Sequence, residues 1–217
     1  MPRICERYAN DHNFKFSPDV NPLKSKTKCM AFLSKSRELR KLKLCGNELP
    51  WVEKGKHLGV KVTNDPRNIL GDDIMEKRAR YIQCNNELMQ EFSFAHSCTK
   101  AFVNRVFNSH FYGSVLWNLY EKESNMLFNS WSTSVRKMFR VDRKTHRYLI
   151  EPISKTPHIR SGLIQRSIGF MKRLVTSRKS VLRYAFEIFS KDCRSTTGSN
   201  LRNILLETEA YRFEVFY

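Results

Sequence analysis

Acid is scarce in this chain: 21 Asp and Glu stand against 39 Lys and Arg in 217 residues, a formal charge of +18. A folded surface this short of carboxylate faces a polyanion, with nucleic acid ahead of an anionic membrane and a merely basic solvated surface as the plain alternative. No apolar run approaches the ~20 residues that a membrane span needs. The first residues, MPRICERYAN, lack the apolar stretch of a secretion signal. The expected compartment is therefore nuclear or cytoplasmic, not secreted. The six cysteines are scattered, with no CxxC pair and no even, dense framework, which fits a reducing compartment with buried thiols. His96 and Cys98 are two apart while Cys84 and His110 lie at a distance, a spacing that does not make a structural zinc site. There is no glycine-rich phosphate loop and no Ser/His/Asp set. Cys98 beside Lys100 makes no protease dyad.

Hydrophobic residues, by contrast, make up 41% of the chain, and Phe alone occurs 15 times. That content supports a core and argues against disorder. The length fits about one to two domains. A short helical face at Ile4, Tyr8 and Ala9 stops at Asp11. Phe14 and Phe16 alternate as in a strand. Cys29, Ala31 and Leu33 alternate with Met30 and Phe32, so both faces are apolar and a buried strand is expected. Leu42 and Leu44 alternate with lysines before Gly46-Asn47, the pattern of a hairpin. His57 to Val62 reads as one further strand, closed by Asn64-Asp65-Pro66.

From Asp72 the period becomes helical. Ile74, Arg78, Tyr81, Ile82, Leu88, Met89 and Phe92 recur at three- and four-residue steps. Gly71-Asp72-Asp73 has the letters of a polymerase metal turn, but acid at the start of a helix explains it better. Thr99 is placed to cap a second helix with Phe102, Val103, Val106 and Phe107, and Ser124 a third with Leu127, Phe128, Trp131, Val135 and Met138. Pro152 and Pro157 bound a loop. Ser161 opens a helix with Ile164, Ile168, Met171 and Val175, and Val181–Phe189 forms another. Ser195–Ser199 is a small-residue turn before a last short helix. The fold class is α+β, with boundaries at 1–66, 67–150 and 151–217: a small antiparallel β part, a mainly helical region and a helical extension.

Basic residues concentrate in two places. Lys24, Lys26 and Lys28 share one face of an extended chain, suited either to phosphate contact or to guarding a strand edge. Arg136, Lys137, Arg140, Arg143, Lys144 and Arg147 form the densest basic segment and suit a phosphate backbone; a plain basic surface is the alternative. Lys77 and Arg80 are further candidates for nucleic acid. Phe102, Phe107, Trp117, Phe128 and Trp131 fit a core better than a base-stacking role, with Tyr112 and Trp117 the least determined. Stacking would require exposed aromatics next to arginine.

Four segments together carry a family resemblance. FSPDVNPLKSKTKCMAF, LCGNELPWVEKGKHLGVKV, SFAHSCTKAFVNRVFNSHFYGSVLWNL and the later Thr145-His146 with Tyr148-Leu149 and RSTTGSNLR resemble, in order, the C-terminal part of non-LTR (LINE-like, RTE-related) retrotransposon reverse transcriptases. The resemblance implies the end of a palm, a primer-grip hairpin, a thumb and a region beyond. It implies that Lys24 or Lys26 is the motif D lysine near the incoming nucleotide. It makes His57, Leu58 and Gly59 the primer grip, and the following helices a clamp on template–primer duplex. The family's metal-holding aspartates in motifs A and C are not in this sequence, so no catalytic or metal-binding residue is expected here and no polymerase activity from this chain alone. The divalent metal, Mg by expectation, belongs to the full-length polymerase. The expected partner is RNA, DNA or an RNA–DNA hybrid, with no membrane, and with association through an uncovered palm edge as a further expectation. A stand-alone nucleic-acid-binding protein derived from such an element, or a nonfunctional remnant reading frame, are the alternatives.

Overall fold

Two hairpins organise the N-terminal part, and both turn on a pair of residues in left-handed conformation. The computed structural model describes residues 2–13, 15–16, 21, 25, 27–32, 39–65, 69–107 and 111–207. Among these the fold is α+β, with eight α-helices and two separate two-stranded antiparallel sheets. The chain divides into two compact units, Met1–Asp72 and Asp73–Tyr217.

In the first unit, helix α1 (Pro2–Asp11) packs on strand β1 (Lys43–Leu44), burying Ala9 and Leu44. β1 pairs with β2 (Asn47–Glu48) across Cys45-Gly46, where φ is 51° and 79°. Positive φ at both central residues defines a type I′ turn, whose twist matches that of the strands. The turn is therefore Cys45-Gly46, one residue earlier than Gly46-Asn47. The carboxylate of Glu6 accepts from the Cys45 N–H and ties the turn to α1. The stretch from His57 to Val62 is not one strand. It is the end of a second hairpin, β3 (Lys54–His57) against β4 (Val60–Thr63), turning at Leu58-Gly59 with φ 47° and 82°. Cys29 makes a single parallel bridge to Trp51 rather than a buried strand, and Phe32 is exposed. Phe16 lies in irregular chain, while Phe14 and Leu33 lie outside the described residues.

The second unit is helical after the first turn of α2 (Gly71–Glu91). It contains α3 (Ser97–Phe107), α4 (Lys122–Phe139), α5 (Arg147–Ser154), α6 (Ile159–Val175), α7 (Ser180–Lys191) and α8 (Thr196–Glu207). α4 buries Leu127, Phe128, Trp131, Val135 and Met138, the stripe that its spacing predicts. α6 buries Met171 as its spacing predicts, but Leu163 and Ser167 rather than Ile164 and Ile168. Pro152 lies inside α5 rather than in a loop; it falls in the last turn, where only one backbone bond is forfeited. Helix starts also differ. The His96 and His158 Nδ1 atoms accept from the N–H two residues on, at 3.3 and 3.1 Å, so imidazoles do the capping expected of Thr99 and Ser161. Phe102 is 66% exposed, not core. The cysteines are free thiols, but Cys5, Cys45, Cys98 and Cys193 are exposed rather than buried. No helix among the described residues is long and apolar enough to cross a membrane.

The C-terminal helices are locked to the rest of this unit by polar contacts. Asn200, 1% exposed on α8, accepts from the Leu119 N–H at 2.9 Å and donates to the Trp117 carbonyl at 2.8 Å. α7 and α8 meet across Gly198, where an added Cβ would lie 2.2 Å from the Asp192 carbonyl oxygen and 2.8 Å from that of Phe189. Both obstacles are backbone, so neither can swing away. The small residues of 195–199, read as a turn, are the first turn of α8 and its cap, with Ser195 Oγ accepting from the Gly198 N–H. Gly198→Ala should destabilise the chain by about 1–3 kcal/mol, the range for overpacking, seen as a lower urea midpoint. An unchanged midpoint would mean that the α7–α8 crossing is not this close.

Candidate nucleic-acid interface

The basic stretch from Arg136 to Arg147 separates into residues that hold structure and residues that face solvent. α4 ends in a Schellman motif: the Val141 N–H reaches the Arg136 carbonyl at 2.9 Å and the Arg140 N–H the Lys137 carbonyl at 3.2 Å. Arg140 sits at the left-handed position of that motif, φ 55°, where glycine is usual. Asp142 folds the next turn, its carboxylate accepting from the Lys144 N–H at 2.6 Å. Arg136 donates to the Thr145 carbonyl at 2.9 Å and draws the turn back onto α4. The Arg147 guanidinium lies 2.9 Å from His158 Nε2. Lys137, Arg140, Arg143 and Lys144 are exposed, and their side chains have no partner among the described residues. Four cations with one nearby carboxylate already engaged make a surface whose charge is uncompensated.

A groove of about 400 Å³ begins at Lys137 and runs between α2 and α4. Arg78, Asn86, Asn129, Ser130 and Thr133 line it. The Arg78 Nε donates to Ser130 Oγ at 2.7 Å, leaving amides and hydroxyls along the floor. Such groups donate well to phosphate and sugar oxygens. None of these five was singled out as a site residue from sequence. A signal was present: Arg78, Ile82 and Asn86, and again Asn129, Thr133 and Lys137, recur at four-residue steps, one stripe on each helix.

Two candidates are engaged inside the fold. Lys77, 15% exposed in its side chain, pairs with Asp73 at 2.7 Å, donates to the Tyr112 carbonyl and lies 5.4 Å from the Trp117 ring centroid. It serves the core, and a phosphate role for it is not what this geometry offers. Asp73 is 2% exposed and also accepts from Trp117 Nε1 at 3.0 Å. Its place in α2 settles the Gly71-Asp72-Asp73 triplet as a helix start. Among the described residues no group of three His, Cys, Asp or Glu could hold a metal ion. Arg80 pairs with Glu76 at 2.6 Å and remains exposed.

In the first unit, Lys24 and Lys26 lie outside the described residues. Lys28 and His57, far apart in sequence, line one open hollow of about 580 Å³ with Met30, Phe32 and Lys56. Leu58 and Gly59 are the tip of the β3–β4 hairpin, and Leu58 is 75% exposed. An exposed leucine held at positive φ is a costly choice, since asparagine or glycine fits that turn position better. Lys56 stands directly opposite Lys61 on the two strands. No family model, curated protein or solved structure matches this chain.

His158, 5% exposed, supports the basic turn from beneath. Burial first, then Arg147 and Arg160, push its pKa from 6.5 down to about 4. The geometry explains the direction. Backbone N–H of Arg160 faces one ring nitrogen, and the Arg147 guanidinium faces the other. A doubly protonated ring would meet a donor on each side.

Lys77→Met leaves the buried Asp73 carboxylate without its cation and should lower stability by about 3 kcal/mol, measured by urea unfolding; a loss under about 0.5 kcal/mol would show the pair to be peripheral. For His158, the unfolded chain takes up a proton near pH 6.5 and the folded chain only near 4. The advantage of the wild type over His158→Leu is thus full above pH 6.5. It should shrink by about 3 kcal/mol as pH falls to 4, read from paired unfolding curves, and a pH-independent difference would contradict the buried, neutral ring.

Proposed function

We propose that this chain is the C-terminal part of a non-LTR retrotransposon reverse transcriptase and that its helical unit holds nucleic acid through the phosphate backbone. The observation that carries this reading is the set Lys137, Arg140, Arg143 and Lys144, exposed and unpaired at the end of α4 and in the following turn. The α2–α4 groove leads away from that set and adds polar donors beside Arg78 and Lys137. Phosphate contacts of this kind position a duplex without reading its sequence. The role suits a template–primer clamp. The resemblance assigns the β3–β4 hairpin, with Leu58 at its tip, to the primer grip. RNA, DNA and their hybrid all present the required phosphates.

The test is binding of the chain to a labelled RNA–DNA hybrid across a salt series. Each phosphate contact contributes about 0.9 to the slope of log affinity against log salt. Replacing Lys137, Arg140, Arg143 and Lys144 together by Gln should reduce that slope by about 3.6 while the circular-dichroism spectrum and urea midpoint stay near wild type. A folded wild-type chain that shows no salt-dependent binding would sink the reading, and so would an unchanged slope in the fourfold variant.

A further inference from the structure

We propose that His146 and Tyr148 form a platform on which one unpaired base stacks at the edge of the phosphate-binding turn. The inference rests on the nucleic-acid reading above and adds a base contact to it. The two rings lie 5.5 Å apart at an interplanar angle of 22°, stacked on each other. Tyr148 is 71% exposed, and its hydroxyl has no partner among the described residues. The exposure does not reflect a shortage of core sites, because Trp117 and Trp131 of the same unit are 0% exposed.

Position and rigidity point the same way. His146 precedes α5 at the place where His96 and His158 cap their helices, yet its side chain makes no cap bond. Its ring lies against Tyr148 instead. The flanking residues are held on both sides: Arg136 grips the Thr145 carbonyl at 2.9 Å, and the Arg147 side chain lies against the buried His158. The flat surface is thereby ordered before a ligand arrives, which lowers the cost of binding. Arg143 and Lys144 stand exposed a few residues before it. An aromatic face beside cations is the arrangement that binds single strands, with phosphates on the charges and a base on the ring. Bases within a duplex have both faces covered, so the platform fits a single-stranded segment or the unpaired base at a duplex end.

The experiment uses the full chain and a twelve-nucleotide single-stranded oligo(dT) carrying one central 2-aminopurine. Anisotropy of an end label reports binding, and 2-aminopurine fluorescence reports stacking. Wild type should bind and quench the fluorescence. Tyr148→Ala should lose most of the quenching and about ten-fold in affinity, while Tyr148→Phe retains both. A matched strand with abasic sites should bind wild type and Tyr148→Ala alike. Full quenching and unchanged affinity in Tyr148→Ala would overturn the platform and leave the phosphate reading intact, provided that the fourfold cation variant loses binding. No binding by wild type to this strand or to the hybrid would overturn both.

Discussion

A carboxylate buried at the start of α2 constrains the whole helical unit. Asp73 is 2% exposed, and an ion so placed is tolerable only if its charge and lone pairs are met. Lys77 supplies the charge one turn later, and Trp117 Nε1 supplies a hydrogen bond from the segment before α4. Trp117 is thereby fixed in the core, and its carbonyl then accepts from Asn200 on α8. One polar thread thus runs from α2 through the Trp117 segment to the last helix. It connects elements that lie 44 and 83 residues apart in sequence. Hydrophobic burial around Trp131 and Leu127 supplies most of the favourable energy, but that force has no direction. The thread supplies direction, because a shifted register would strand a buried charge.

The same logic of satisfied and unsatisfied charge sorts the basic segment. At its two ends, half-buried Arg136 holds the Thr145 carbonyl and Arg147, though exposed, lays its guanidinium against His158, so both fix the path of the chain. Between them, Lys137, Arg140, Arg143 and Lys144 are turned outward with nothing to neutralise them. His158 takes part in this arrangement because a neutral imidazole fits between two cationic side chains where an imidazolium would not.

Much of the helical layout was legible from period alone. The α4 stripe of Leu127, Trp131, Val135 and Met138 was readable because a long amphipathic helix repeats its signal over several turns. The hairpins were harder. Leu58-Gly59 lacks the Asn-Gly signature of a type I′ turn, so His57–Val62 read as an unbroken strand. The helix starts at His96 and His158 were missed because imidazole is an uncommon cap. Phe102 and the α7 residues Val181, Tyr184 and Phe189 carry an apolar pattern yet are exposed; period gives an apolar face but not what covers it. Of the basic segment the sequence disclosed the density. It did not disclose which cations the fold uses, since Arg136 and Arg140 differ only in where their helix ends.

Arg140 shows where fold and surface make opposing demands. Its left-handed backbone, φ 55°, is a site where glycine would save about 1 kcal/mol. A cation there has its own compensation, because the last turn of α4 presents unpaired carbonyls and the negative end of the helix dipole, worth about 0.3–1 kcal/mol. The two effects nearly cancel, so arginine at this position costs the fold little. Lys155 repeats the arrangement at the end of α5, φ 50°. Helix ends in this unit are thus places where positive charge can be displayed without loss of stability. Leu58 has no such offset: it is apolar, exposed and held at φ 47° without a helix dipole to favour it. What favours the left-handed backbone at Leu58 is the turn itself, since positive φ at both Leu58 and Gly59 gives the twist that β3 and β4 need.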